Sequence, residues 1–240
     1  MIGESVSRAM SGSFYSKFVF PYLCELTMSG KSLSGFRQDA LQEINGEVLE
    51  IGFGTGLNLP HFPETVQKID AVDVNPRMHR LARKRIDKSG IAVTNYVLSG
   101  EHLPMDDASY DYVVCTFTLC SIPDVSQALL EINRVLKPRG NFVFLEHGLS
   151  DVTKIQAWQH RLNPLQKKIG DGCHLNRKID DLVLGASFEI TSLKRFHLPS
   201  VPKFIGHCYQ GIAAKPLSSG LSTSQDTKEF FTKRWKFDLN

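Results

Sequence analysis

Between Glu47 and Glu146, short runs of apolar residues alternate with longer amphipathic stretches. Glu47 to Ile51, Ile69 to Val74, Thr94 to Leu98 and Tyr110 to Thr116 have the length and apolar character of buried strands, and Asn141 to Glu146 is a fifth. Between them, Pro76 to Ser89 reads as a basic helix that Gly90 ends, and Val125 to Leu136 repeats its apolar positions at helical spacing. Lys137-Pro138-Arg139-Gly140 is the chemistry of a turn ahead of the fifth strand. This alternation predicts a doubly wound α/β fold with a mainly parallel sheet. Upstream, residues 14–30 carry aromatic and aliphatic groups at helix-like spacing, interrupted by Pro21, which predicts two short helices or a kinked one. Ser34 to Ile44 predicts a further helix, closed by the turn residues Asn45-Gly46. Downstream, Thr153 to Leu162 predicts a helix stopping before Pro164, and Ile179 to Gly185 another. Ser187 to Arg195 and Cys208 to Lys215 predict two closing strands.

The expected organisation is an N-terminal helical lid over residues 1–45, one domain over 46–215 and a flexible C-terminal tail over 216–240. Within the tail, Pro216 to Thr227 has the Ser/Thr/Gly content of a linker. The final basic and aromatic FFTKRWKF reads as a terminal helix or a disordered end, with docking at a membrane surface as the alternative.

Composition adds exclusions. The 240 residues suit one sizeable domain, and 28 basic against 25 acidic residues leave a net charge of only +3, too mild to indicate a nucleic-acid partner. No run approaches the roughly 18 apolar residues of a membrane span, and Met1 to Ser13 lacks the apolar stretch of a signal peptide. The five cysteines, Cys24, Cys115, Cys120, Cys173 and Cys208, are odd in number and form no CxxC, the usage of reduced thiols in a cytoplasmic protein. Two of them adjoin a histidine, Cys173-His174 and His207-Cys208. Adjacent residues serve one tetrahedral ion poorly and no spaced partners are evident, so no metal site is expected.

The sharpest chemical signal is Val48-Leu49-Glu50-Ile51-Gly52-Phe53-Gly54-Thr55-Gly56, a buried strand running into a glycine turn. Glycines permit a sharp turn and close approach of a ligand to the backbone. The spacing is G-x-G-x-G, with Leu57 where a dinucleotide fingerprint places its third glycine. Glu50, just before the turn, would repel a pyrophosphate and attract an ammonium group. Asp73, 21 positions beyond Gly52, sits where an acid accepts hydrogen bonds from ribose hydroxyls, the alternative being a cap for the helix at Pro76. Ser99-Gly100-Glu101-His102-Leu103-Pro104 follows the third strand, where an adenine would lie. Thr116 and Leu119 end the fourth strand at the ligand crevice, and Cys120 beside them reads as a buried structural thiol.

In order, LEIGFGTG, AVDVNP, SGEHLPMDDASYDYVV and RVLKPRGNFVF resemble the class I S-adenosylmethionine (SAM)-dependent methyltransferases of the type 11 group, which includes ubiquinone/menaquinone C-methyltransferases. The one departure is Arg139, where a glycine is common. A narrower resemblance, through CTFTLCSIPD, FLEHG, WQHRLNP and GDGCHLNR, is to a bacterial branch near the mammalian microsomal alkyl-thiol methyltransferases. Those carry an N-terminal membrane anchor that this chain lacks, so a soluble or peripheral protein is expected. The resemblance implies a Rossmann-like seven-stranded sheet, mostly parallel with an antiparallel closing strand, and SAM as the cofactor. It implies that Glu50, Gly52, Gly54, Gly56 and Asn58 surround its methionine and ribose portions. Asp73 would hold the ribose hydroxyls and Val74 would lie beside the adenine. Gly100, Glu101 and His102 would face the adenine, with Thr116 and Leu119 near the methionine end.

The expected reaction moves a methyl group to a small, lipophilic acceptor, a thiol first among them. The alternatives are N-methylation of a phospholipid headgroup, C-methylation of a quinone-like ring, and SAM binding without catalysis. His147, just past the fifth strand, is the first candidate base and Asp171 the second; the alternatives are backbone bonding for His147 and a turn or Arg177 pairing for Asp171. Tyr15, in the lid, is expected to touch SAM or acceptor. Trp158, Phe196 and Tyr209 are candidates for an apolar acceptor wall, with core packing as the alternative, and residues 158–177 for its roof.

Overall fold

The computed structural model describes residues 14–199 and 201–217. The expectations for Met1 to Ser13 and for the tail beyond residue 217, including most of the linker and FFTKRWKF, lie outside the described residues. Seven strands form one sheet: β1 (Val48–Ile51), β2 (Lys68–Asp73), β3 (Ala92–Val97), β4 (Tyr110–Thr116), β5 (Leu136–His147), β6 (Glu189–His197) and β7 (His207–Ala214). Their spatial order is β3-β2-β1-β4-β5-β7-β6. The first five strands are parallel, and β7 runs antiparallel to both β5 and β6. The chain order reverses beside β1, so the carboxyl ends of β1 and β4 open a crevice, the place where ligands bind in such sheets.

Both faces of the sheet are covered, and the period-2 alternation of each strand decides which residues go where. Leu49, Ile51, Val113, Cys115, Phe142 and Phe144 pack with α4 (Val125–Val135) and α6 (Ile179–Gly185). Val48, Val114 and Val143 point the other way, toward α2 (Lys31–Leu41) and α3 (Pro76–Ser89). Val125, Ala128, Leu129, Ile132 and Val135 make one buried stripe on α4. Asp124 caps that helix by accepting from the Gln127 N–H at 2.9 Å. Asn75, rather than Asp73, caps α3, accepting from the Arg77 N–H at 3.0 Å, and Gly90 ends it in the left-handed conformation at φ +72°.

Three local expectations change. Lys137 to Gly140 does not separate a helix from a strand but bulges out within β5. The register passes from Tyr110↔Leu136 to Tyr112↔Asn141, and Arg139 takes φ +65°. The helix at Thr153 does not stop at Pro164: α5 runs from Thr153 to Ile169 with the proline inside. Proline removes one helical hydrogen bond, and tertiary contacts hold this helix across the gap: beyond the proline the Ile169 carbonyl accepts from the Tyr15 hydroxyl at 2.6 Å, and ahead of it two side chains are fixed. The Gln159 side chain bonds the Ser150 N–H and the Gly148 carbonyl at 2.8 and 2.9 Å, and Asn163 accepts from the Leu175 N–H at 2.9 Å. At the N-terminus, a π-helical turn (Tyr15–Val19) leads straight into α1 (Phe20–Met28), with Pro21 in the first turn where its missing N–H costs nothing. Among the described residues no helix is long and apolar enough to cross a membrane.

Candidate active site

The crevice is a cavity walled by the glycine turn after β1, the end of β2, the loop after β3, the turn after β4, helix α1 and Asp171. Gly52 and Phe53 both donate to the Val72 carbonyl, at 2.8 and 3.1 Å, which ties the turn to β2. Gly52 has φ +76°, and a Cβ there would lie 1.9 Å from Thr118 Oγ1 and 2.6 Å from Thr118 Cβ. Gly54, at φ +56°, meets nothing closer than 3.8 Å and lines the cavity. Gly56 has φ +75° but sits behind the wall, against Leu59 and Ala82, so its role is in packing the turn on α3.

Glu50 shares a face with Val48, and that face looks toward α2. This alternation brings a residue with no motif around it, Arg37 on α2, into the cavity wall. The Arg37 guanidinium donates through Nη1 to Asn58 Oδ1 at 2.8 Å and to Thr116 Oγ1 at 2.9 Å. Asn58 Nδ2 in turn donates to Glu50 Oε1 at 2.9 Å and to Thr116 Oγ1 at 3.1 Å. Burial pushes the Glu50 carboxyl up to about 8, against the downward pull of Arg37 and of the Asn58 bond. The same burial lowers Arg37, against the upward pull of Glu50. Each keeps a buried atom without a partner among the described residues, Glu50 Oε2 and Arg37 Nε. Neighbouring acceptor and donor groups of opposite sign match the ammonium and carboxylate of an amino-acid tail.

Asp73 lines the cavity beside Val74. Its two oxygens accept from the Gly54 and Asn75 N–H groups, both at 2.8 Å, and keep further lone pairs for a ligand. Burial raises its carboxyl, and those two backbone bonds lower it. Gly100 lines the cavity tightly, since a Cβ would approach Ile51 Cγ2 to 2.8 Å. Phe117 and Asp171 reach the wall with left-handed backbones, φ +54° and +49°, a strained conformation that concentrates at functional sites.

Helix α1 covers the cavity with Phe20, Cys24 and Met28. Glu25 pairs with Arg85 of α3 at 2.6 Å, Ser16 Oγ donates to Asp171 Oδ1 at 2.6 Å, and Asn75 Nδ2 donates to the Ser16 carbonyl at 2.8 Å. The cover is thus fastened to both sides of the opening.

Of the residues singled out in the sequence, Glu50, Gly52, Gly54, Asn58, Asp73, Val74, Gly100, Thr116 and Asp171 line this cavity. The others are placed elsewhere. Tyr15 is a fastener, its hydroxyl donating to the Ile169 carbonyl at 2.6 Å. Glu101 braces the loop after β3 by accepting from Ser99 Oγ at 2.9 Å and from the Asp124 N–H at 2.7 Å, and His102 turns outward to solvent. Leu119 is fully buried beneath the turn. Its N–H and that of Thr118 donate to Glu146 Oε1 at 3.0 and 2.8 Å, a bracing role for Glu146 that no motif announced. His147 lies behind the wall, with Nε2 2.8 Å from Cys173 Sγ. Trp158 is exposed, Phe196 stacks on Phe36 at 4.2 Å and Tyr209 is core, and none of the three lines this cavity. Arg37, Cys24 and Met28 could not be found from local sequence, because they arrive from helices that precede the sheet.

Residues 49–144 match the family model described as a methyltransferase domain, of the type 11 group. Over 177 residues the chain is 37% identical to thiol S-methyltransferase TMT1B of Rattus norvegicus, covering 68% of this chain and 72% of that one. Over 184 residues it is 32% identical to thiol S-methyltransferase TMT1A of Homo sapiens, covering 73% and 75%. The crystal structure of a SAM-dependent methyltransferase from Methanosarcina mazei has the same fold, with a TM-score of 0.58 at 24% identity over 75% of this chain and 96% of that chain. The seven-stranded sheet, the cavity at its switch point and these likenesses converge: the chain belongs to the class I methyltransferases and is an enzyme whose cofactor is S-adenosylmethionine.

Proposed function

We propose that this enzyme methylates the sulfur of a small, lipophilic thiol. The observation that carries the reading is the likeness to two thiol S-methyltransferases over more than two thirds of the chain. The apolar side chains of Phe20, Met28, Phe117 and Ile122 on the cavity wall support a lipophilic acceptor. The cofactor supplies a methyl group on a positively charged sulfur, so the acceptor needs a free lone pair held in line with it. In this reading Glu50 and Arg37 hold the amino-acid tail, Asp73 the ribose hydroxyls, and Val74 and Gly100 the adenine. Asp171 is the wall group that accepts the thiol proton, and α1 with its fasteners excludes water from the reacting atoms. Isotope transfer from labelled SAM to alkanethiols, amines, phenols and phospholipids tests the assignment. Labelled thioether should dominate; label confined to phospholipid or to a phenolic ring would replace the thiol with those acceptors.

The raised Glu50 carboxyl adds a pH signature. Near pH 7 a carboxyl at about 8 is mostly protonated in the free protein. An ammonium placed beside it favours the carboxylate, so binding expels a proton. Cofactor affinity should therefore rise by close to tenfold per pH unit from about pH 6 to 7, level off near pH 8 where the free carboxyl is itself ionised, and fall once the ligand's own amino group deprotonates. Calorimetry at pH 7 in buffers of differing ionisation enthalpy should show about one proton released per ligand bound. Glu50→Gln should bind more weakly and release none.

A further inference from the structure

Behind the cavity wall, three segments far apart in the chain bring Cys120, His147 and Cys173 together, all buried, with one ligand atom of each within 4.8 Å of the others. Cys120 follows β4, His147 ends β5 and Cys173 follows α5. The Cys173 and Cys120 sulfurs are 3.7 Å apart, and His147 Nε2 is 2.8 Å from Cys173 Sγ. Two thiolates on a tetrahedral zinc-class ion stand about 3.8 Å apart, so the sulfurs are already at that spacing. The imidazole needs to withdraw by about 0.7 Å to reach its own ligand distance. Its other nitrogen, Nδ1, is buried without a partner among the described residues, so the ring is held by the bond to Cys173 that the ion would replace. Adjacent Cys-His pairs in the sequence argued against a metal; the ligands that converge are instead one residue from each of three elements.

We propose that Cys120, His147 and Cys173 bind a thiophilic divalent cation of the zinc class. Two thiolates and a neutral imidazole balance its charge and match the soft N/S donor preference. Among the described residues no fourth histidine, cysteine or carboxylate joins the cluster, so a tetrahedral ion keeps one position for an outside ligand. The cavity is one side chain away: Cys120 Sγ is 3.5 Å from the hydroxyl of Ser121, and Ser121 and Asp171 both line it. Resting on the thiol reading above, the ligand for that position is the acceptor's own sulfur. Coordination removes its proton to Asp171 or water and leaves a thiolate lone pair. That pair forms the new carbon–sulfur bond as the sulfonium carbon–sulfur bond breaks.

The test uses reduced full-length protein, stripped with a chelator and titrated with Co²⁺. One ion per chain should bind, with thiolate-to-cobalt charge-transfer absorption and the intense visible bands of four-coordination. Cys120→Ser and Cys173→Ser should each weaken both features and lower Co²⁺ affinity at least tenfold, while Cys24→Ser keeps them. SAM binding by each variant, measured by calorimetry, establishes that it is folded. Wild-type protein that takes up no Co²⁺, or whose charge-transfer bands survive both cysteine variants, would overturn the site. A Cys120–Cys173 disulfide in protein purified without reductant, with no Co²⁺ uptake after reduction, would also overturn it and make the pair a redox couple. Adding an alkanethiol should strengthen the charge-transfer band without any methyl transfer. A Co²⁺ spectrum that ignores the thiol would overturn the open position, and the isotope assay would still decide the acceptor independently.

Discussion

Replacing Gly52 with alanine is expected to abolish cofactor binding and to destabilise the fold. The residue sits at φ +76°, where a side chain costs about 1–2 kcal/mol. The new Cβ would also fall 2.6 Å from Thr118 Cβ. Rotating Thr118 cannot relieve that contact, because Cβ is fixed to the backbone. The turn must therefore shift against its two hydrogen bonds to Val72, at 2.8 and 3.1 Å, and Glu50, two residues earlier, moves with it. The combined cost is about 2–5 kcal/mol. At about 2–4 °C per kcal/mol for a domain of this size, that lowers Tm by about 4–20 °C. SAM affinity should fall at least about 100-fold. Gly54→Ala provides the contrast. Its Cβ meets only the Gly52 carbonyl at 3.8 Å, so the fold loses about 1–2 kcal/mol while the methyl group intrudes on the cavity. Thermal melts and calorimetry on both variants check this. Equal melts for the two would show that the Thr118 contact is not limiting.

The second large effect is expected at Arg37. Arg37→Met should cost about 1–3 kcal/mol of stability, because the buried Asn58 Oδ1 loses the donor that holds it at 2.8 Å. Burial already lowers the arginine, and Glu50 can take up a proton when its positive neighbour is gone. Cofactor affinity should nevertheless fall about 10–150-fold, the range of a lost charged hydrogen bond. A decarboxylated cofactor analogue should lose little further affinity in the variant, since the group that Arg37 addresses is already missing. A large drop in Tm with unchanged affinity would instead assign Arg37 to scaffolding Asn58 and Thr116, which it bonds at 2.8 and 2.9 Å.

What was legible beforehand follows from the range over which each signal acts. Strand β4 and helices α3 and α6 begin and end where the apolar pattern, Asn75, Gly90 and Gly185 place them. The glycine turn was legible because its three glycines and its acid fall within seven residues, Glu50 to Gly56. The errors fell where a local rule met a tertiary contact. Pro164 should end a helix, but Gln159 and Asn163 pin α5 ahead of it and Tyr15 pins Ile169 beyond it. Leu119 stands on the turn after β4, yet its side chain points into the core because Glu146 holds the turn from below.

The amino-acid sequence by itself determined the alternation of strands and helices and the chemistry of the turn after β1. These depend on neighbours within a few residues, through the 2.0 and 3.6 periods and the backbone freedom of glycine. The tertiary structure alone decided that Arg37 joins Asn58, Thr116 and Glu50, and that Cys120, His147 and Cys173 meet. Each of those depends on side chains from separate elements converging after the sheet has assembled, and no spacing along the chain encodes the distance between them.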